Sequence, residues 1–272
     1  TYLNKLFEVL NTPEKERKDL PAYLQAFPYV NGGLFRPPFQ TPNFSRRSRQ
    51  AIIDSGELQW KEINPDIFGS MFQAVVSVDQ RGNLGQHYTS VPNIMKVIEP
   101  LFLNELYEAF EKAKGDKKKL NDLLLRISNI KIFDPACGSG NFLIIAYKEL
   151  RKLEMKILKE LGILAFSNIS LNNFYGIEID DFAHEIAQLS LWLAEHQMNV
   201  EFFNQFGRTN PTLPLREAGH IVQGNACRLD WEKVCPKQGG DEIYVLGNPP
   251  YLGGKSQTKE QKEDMAITFN GI

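Results

Sequence analysis

The sequence predicts an α/β fold in which a parallel sheet of about four strands, with helices on its faces, follows a mainly helical region. Two observations carry this. From residue 130 onward short apolar runs alternate with long stretches of helical spacing, a rhythm that makes neighbouring strands parallel. Before that point Pro21, Pro28, Gly32-Gly33 and Pro37-Pro38 interrupt an otherwise helical pattern. The expected division is a mainly helical part over residues 1–83 and an α/β core over 84–272.

Taken in order, Ile67 to Val76 reads as a buried helix after the turn Asn64-Pro65-Asp66. Val91 to Ala113 repeats apolar residues at helical spacing (Ile94, Val97, Ile98, Leu101, Leu106), and Pro92 suits a first helical turn. Residues 114–119 read as a Lys-rich linker and 120–127 as a short helix. Ile130-Lys131-Ile132-Phe133 is the first expected strand, followed by a helix over 141–161. Phe174-Tyr175-Gly176-Ile177 is the second, followed by a helix over 181–196. His220-Ile221-Val222-Gln223 and Glu242 to Leu246 are the third and fourth, with 204–219 as a loop before the third.

The bulk numbers bound the function. The chain has 272 residues, 42% of them hydrophobic, which suffices for a sizeable core. A net charge of −2 is low for a self-sufficient nucleic-acid binder, so contacts of that kind must be local or come from another part of the protein. Three cysteines (Cys137, Cys227, Cys235) without CxxC spacing argue against a zinc site or a disulfide framework and fit a reducing cytoplasm. No apolar run is long enough to span a membrane as a helix, and no signal peptide is evident. The first residue is Thr1 and the last motif stands close to Ile272, so a longer parent protein is expected.

The chemistry lies in three ordered runs. Asp134-Pro135-Ala136-Cys137-Gly138-Ser139-Gly140 follows the first expected strand. In an open α/β sheet, ligands bind beyond the carboxyl ends of the strands. Gly138 and Gly140 let backbone approach a ligand closely, and the next helix offers free N–H groups. By itself this is an ordinary strand-to-helix turn, and a dinucleotide G-x-G-x-x-G is not completed because residue 143 is Leu. The neighbouring strand ends strengthen it. Glu178 can accept hydrogen bonds from vicinal ribose hydroxyls, Ile179 can cover an adenine face, and Asn225-Ala226 can offer an amide to the adenine edge. The second run, Gly85-Gln86-His87-Tyr88-Thr89-Ser90, lies upstream. The third is Asn248-Pro249-Pro250-Tyr251. It combines two acceptors, the Asn248 Oδ1 and the Pro249 carbonyl, with an aromatic plate, which suits a planar amine; it is also a good turn.

Together these runs resemble the class I S-adenosylmethionine-dependent methyltransferases, a Rossmann-like fold, and among them the amino-methylating DNA methyltransferases of the gamma type. The resemblance covers about residues 65–255. The stretches Phe68-Gly69-Ser70-Met71-Phe72 and Ile186 to Trp192 also resemble large single-chain type II restriction–modification enzymes. The resemblance implies that Tyr88, Thr89 and Asp134 hold the methionine part of S-adenosylmethionine. The turn residues Ala136, Cys137, Gly138 and Gly140 pass beside it, Glu178 takes the ribose, and Ile179, Asn225 and Ala226 take the adenine. It implies Asn248, Pro249, Pro250 and Tyr251 as the catalytic motif and a flipped adenine in double-stranded DNA as substrate, methylated on its exocyclic N6. It also implies that the core is incomplete at its C-terminus, that the parent protein carries a DNA-recognition domain, and that this chain alone is at most a feeble catalyst. Methyl transfer needs no covalent enzyme intermediate, so Cys137 is not read as a nucleophile.

Two other functions fit the same residues. A protein-glutamine methyltransferase uses the same Asn-Pro-Pro-Tyr on a side-chain amide, and a fragment of a larger enzyme can bind cofactor or DNA without catalysis. His184-Glu185 starts like a zinc motif, but residue 188 is Gln, and no metal is expected. Arg46-Arg47-Ser48-Arg49 and Lys112, Lys114, Lys117, Lys118 and Lys119 can meet phosphate, although such runs are usually solvated faces.

Overall fold

The computed structural model describes residues 2–30, 35, 37–38, 41–58, 89–163, 165–208 and 219–269. The described residues up to 58 form one compact unit and those from 89 onward a second. The expected helix over 67–76, the Gly85–Tyr88 part of the upstream run and the expected domain border near 83 lie outside the described residues.

The first unit is helical: α1 (Tyr2–Leu10), a 3-10 turn (Glu14–Glu16), α2 (Ala22–Gln25) and α3 (Arg46–Gly56). Its short elements need a tie, and Arg17 provides one. Its guanidinium donates to the carbonyls of Val9 (2.8 Å), Thr12 (2.8 Å) and Phe27 (2.6 Å). Val9, Leu24 and Val30 are buried in this unit. In α3, Ser45 caps the first turn by accepting from the Ser48 N–H, and no residue of that helix is buried.

The second unit starts with α4 (Val91–Ile98), a π-helical stretch (Glu99–Leu103) and α5 (Asn104–Ala113). The sequence predicts one helix here. Pro100 lacks an N–H, and the widened turn around it keeps the two halves continuous. Next is α6 (Lys117–Asn129), longer than the expected 120–127. The Asp116 carboxylate accepts from the N–H groups of Lys118 and Lys119, so part of the expected linker is the first turn of this helix. The sheet then alternates with helices: β1 (Lys131–Asp134), α7 (Asn141–Leu161), β2 (Phe174–Glu178), α8 (Asp181–Phe206), β3 (His220–Gln223), a short α9 (Trp231–Val234), β4 (Ile243–Val245) and α10 (Lys259–Thr268). Helix α8 runs ten residues past its expected end at 196, because Met198 and Phe202 continue its buried face until Gly207 ends it in the left-handed conformation (φ 68°).

All strand pairs are parallel, in the order β3-β2-β1-β4. Side chains alternate across the sheet as strand geometry requires. Ile132, Phe174, Ile221 and Tyr244 face the main core under α4 to α8, while Phe133, Tyr175, Ile177, Val222 and Ile243 face a smaller cluster with Val234 and Cys235. Among the described residues no helix is long and apolar enough to cross a membrane.

A buried ionic group joins α7 to its surroundings. Arg151, 1% exposed, donates to Asn199 Oδ1 on α8 (3.0 Å) and sits 3.4 Å from the Glu154 carboxylate. Glu154 in turn accepts from the Ser167 hydroxyl and the Asn168 N–H, both at 2.6 Å. Removing one partner strands a buried charge, so Glu154→Ala should destabilise the fold by about 3–5 kcal/mol in denaturant unfolding. The double change Arg151→Met with Glu154→Leu should cost clearly less than Glu154→Ala alone. Equal losses would show that the pair is not coupled.

Candidate functional site

Strand order reverses between β1 and β4: the chain leaves β1 toward β2 and β3, then returns to β1's other side. Such a switch point opens a crevice at the carboxyl ends of the strands. Two of the three runs meet there, since Asp134 to Gly140 leaves β1 and Gly247 to Tyr251 leaves β4.

The turn after β1 is held by hydrogen bonds from its own backbone. The Ala136 N–H donates to Asp134 Oδ1 (3.0 Å), the Cys137 N–H to the Ile177 carbonyl (3.0 Å) and the Gly140 N–H to the Cys137 carbonyl (2.8 Å). Gly138 (φ 56°) and Gly140 (φ 83°) take left-handed conformations that other residues adopt only at a cost, and Gly140 starts α7 from that position.

Glu178 ties three strand ends together. Its Oε2 accepts from the Gly138 N–H and its Oε1 from the Asp180 N–H, both at 2.8 Å, while its carbonyl accepts from the Gly224 N–H at the end of β3 (2.8 Å). The carboxylate is buried, and burial pushes its pKa above the usual carboxylate value despite these donors. Asp134 is 1% exposed, and burial, with the Glu178 charge nearby, pushes its pKa up to about 7. The same burial and the two carboxylates push the Cys137 thiol well up, so it stays a thiol at neutral pH.

Ile179 is 55% exposed beside Glu178. Asn225 is tied into the protein. Its Oδ1 accepts from the Cys227 N–H (2.9 Å) and its Nδ2 donates to Asp264 on α10 (2.7 Å), so its amide is engaged within the protein. Ala226 packs against the smaller core cluster. Asp264 went unnoticed in the sequence; it is a buried carboxylate that also accepts from Arg228 Nε (2.6 Å), which holds its pKa below the usual value. No spacing signal marks it, because α10 is a polar helix whose buried residue is this one.

On the β4 side, Asn248, Pro249 and Pro250 are exposed and Tyr251 is 90% exposed. Asn248 Nδ2 donates to Thr89 Oγ1 at 3.1 Å, which brings the end of the upstream run onto the last one. Tyr88 lies outside the described residues. Gly247 was also missed. A Cβ there would come within 2.9 Å of Asp134 Cγ, so the backbone just after β4 passes the buried acid most readily as glycine.

The remaining candidates sort readily. Lys112, Lys114 and Lys119 pair with Glu108, Glu111 and Asp116 on their own helical faces. Arg46, Arg47 and Arg49 are exposed in the first turn of α3. His196 stacks on Trp192, and His220 on Tyr175. Asp181, His184 and Glu185 place potential ligand atoms within 4.8 Å of one another, while His184 Nε2 lies 3.1 Å from the Ile221 carbonyl and 3.1 Å from Gln188.

Comparison with known proteins shows the family. The profile of the MmeI DNA-methyltransferase domain matches residues 110–272, and that of the MmeI helicase spacer domain matches residues 1–35. DNA methyltransferase A of Bacillus subtilis (strain 168) is 56% identical over 279 residues, covering 99% of this chain and 32% of that protein. A putative type II restriction enzyme and methyltransferase of Methanocaldococcus jannaschii is 36% identical over 252 residues, covering 71% of this chain and 21% of that protein. The solved structure of the type IIL restriction-modification enzyme MmeI in complex with DNA superposes with a TM-score of 0.84 at 43% identity, covering all of this chain and 37% of that one. The chain thus spans between 21% and 37% of the length of these relatives.

The buried acid gives the protein a pH signature. The folded pKa of Asp134 is raised, to about 7, above its unfolded value near 4, so its contribution to stability is full below the unfolded value and is lost as pH rises to 7. Denaturant unfolding should therefore show the wild type losing a few kcal/mol relative to Asp134→Asn between pH 4 and pH 7. Parallel profiles for the two proteins would contradict the raised pKa.

Proposed function

This chain belongs to the MmeI DNA-methyltransferase family, and from that premise we propose that its parent protein methylates DNA on the N6 of adenine, with S-adenosylmethionine as methyl donor. The observation that carries this reading is the placing of Asn248-Pro249-Pro250-Tyr251 at the carboxyl end of β4, across the switch point from the Asp134–Gly140 turn of β1.

The residues fit the cofactor by their donor set. Glu178 offers buried carboxylate oxygens to ribose hydroxyls, exposed Ile179 offers an apolar face to adenine, and the Gly138–Gly140 backbone leaves room for close approach. Tyr88, Thr89 and Asp134 would hold the methionine part, with Ala136 and Cys137 lining its path. Asn225 and Ala226 flank the adenine as part of the wall, with the Asn225 amide set by Asp264. When bound, S-adenosylmethionine supplies an electrophilic methyl group on its sulfonium.

The chain's own residues act on the other reactant. The lone pair of an adenine amino group is delocalised into the ring, which makes it a poor nucleophile. Asn248 Oδ1 and the Pro249 carbonyl accept its two N–H bonds and bias the nitrogen toward a tetrahedral, more nucleophilic form. The Pro249-Pro250 pair fixes backbone φ and so preorganises these acceptors. Tyr251, already exposed, stacks on the flipped base and contributes about 1–3 kcal/mol, which offsets part of the cost of unstacking it. Recognition of double-stranded DNA, by a domain beyond this chain, and membership in a restriction–modification system complete the proposal. The free cysteines suit a cytoplasmic protein.

The test uses the full-length protein with duplex DNA and S-adenosylmethionine, followed by mass spectrometry of the released nucleosides. N6-methyladenine is expected. Methylated cytosine, or transfer to a protein glutamine with none to DNA, would overturn the assignment. Asn248→Ala should abolish transfer and leave calorimetric cofactor affinity nearly unchanged. Glu178→Ala should instead weaken cofactor binding, by roughly 1.5–3 kcal/mol for a charge-assisted pair.

A further inference from the structure

Asn248 is exposed, and its side chain makes one hydrogen bond among the described residues, from Nδ2 to Thr89 Oγ1. The two ends of this bond lie 159 residues apart in sequence. Thr89 precedes Ser90, whose carbonyl accepts from the Asn93 and Ile94 N–H groups at the start of α4, and α4 is sunk into the core by fully buried Ile94 and Ile98. Asn248 follows Gly247, which the buried Asp134 constrains, and Leu246, whose N–H donates to the Phe133 carbonyl of β1 (2.9 Å). Pro249 restricts the Asn248 backbone further. The backbone is thus fixed on both sides, and what remains free in Asn248 is the direction of its amide.

That direction decides whether the residue can work. An amide presents an acceptor at one end and two donors at the other. Only Oδ1 can accept from an amino group; Nδ2 in the same place would set donor against donor. With Nδ2 turned to Thr89, Oδ1 is the end left for an incoming amine. A hydroxyl can donate as well as accept, so Thr89 sets the amide's polarity most firmly when its own proton is drawn to a neighbouring anionic group, such as the carboxylate of a bound amino-acid-like cofactor. We propose that Thr89 is a positioning residue for Asn248: its hydroxyl holds Nδ2 inward so that Oδ1 is presented to the substrate amine. This rests on the reading of Asn248 given under the proposed function and adds to Thr89 a role distinct from cofactor contact.

Two variants of the full-length protein separate the roles. Thr89→Val keeps the shape and removes the hydroxyl; Thr89→Ser keeps the hydroxyl. With both substrates saturating, Thr89→Val should lower kcat roughly ten- to hundred-fold, the scale of a misplaced reacting group, while Thr89→Ser stays near wild type. Calorimetry with S-adenosylhomocysteine supplies a readout independent of turnover: Thr89→Val also loses the hydroxyl's contact with the amino-acid end, so its Kd should rise roughly tenfold or more, but the kcat deficit should persist at saturating cofactor, since positioning acts on the substrate amine. A wild-type kcat in Thr89→Val would overturn the proposal. So would a kcat that recovers fully at high cofactor together with a large rise in Kd, because Thr89 would then serve cofactor binding alone. Failure of the underlying reading looks different: the unaltered protein would transfer no methyl to DNA adenine, which would overturn both.

Discussion

Glu178 holds the site together. A parallel sheet ends in loops that share no ladder hydrogen bonds, so something must fix their relative positions. Here one buried carboxylate accepts N–H groups from the β1 turn and from the start of α8, while the carbonyl of the same residue receives the turn after β3. Charge-assisted bonds of this kind are among the stronger ones available to a protein, and burial strengthens them further. A carboxylate so held is still an acceptor, because each oxygen carries a second lone pair.

The consequences spread from that corner. Burial raises the pKa of both Glu178 and Asp134, the latter also through the nearby Glu178 charge, and burial together with these two acids keeps the Cys137 thiol neutral. On the other side, the close approach of Asp134 favours glycine at residue 247, which lets the chain after β4 pass and deliver Asn248 beside Thr89. The polar corner around Glu178 and Asp134 therefore also determines where Asn248 stands. A second polar tie, Asp264 with Arg228 and Asn225, fastens α10 to the β3 turn and engages one N–H of the Asn225 amide.

Much of this was legible in the sequence, and the gaps have physical causes. The four strands stood out because short apolar runs bounded by Gly, Asp and Asn admit little else, and the helix over 141–161 ends where expected because Gly162 takes a left-handed cap. Helix α8 was cut short because its polar residues between 193 and 201 mask a buried stripe that only packing reveals. The π-helical stretch at Pro100 and the Asp116 cap are local backbone choices that periodicity does not register. Of the site, Asp134, Glu178 and Asn248 were visible as motif residues, while Gly247 and Asp264 were not. Their importance comes from what other strands bring near them. Asn225 was read for its chemistry alone, and the structure adds that its hydrogen-bonding groups already have partners.

The most direct test is a crystal structure of the protein with S-adenosylhomocysteine. The account predicts the ribose hydroxyls on the Glu178 carboxylate, the adenine against Ile179, the amino-acid end toward Asp134 and Thr89, and the Thr89–Asn248 hydrogen bond in place. Cofactor density away from the β1 and β2 strand ends, or a ribose that does not touch Glu178, would contradict it.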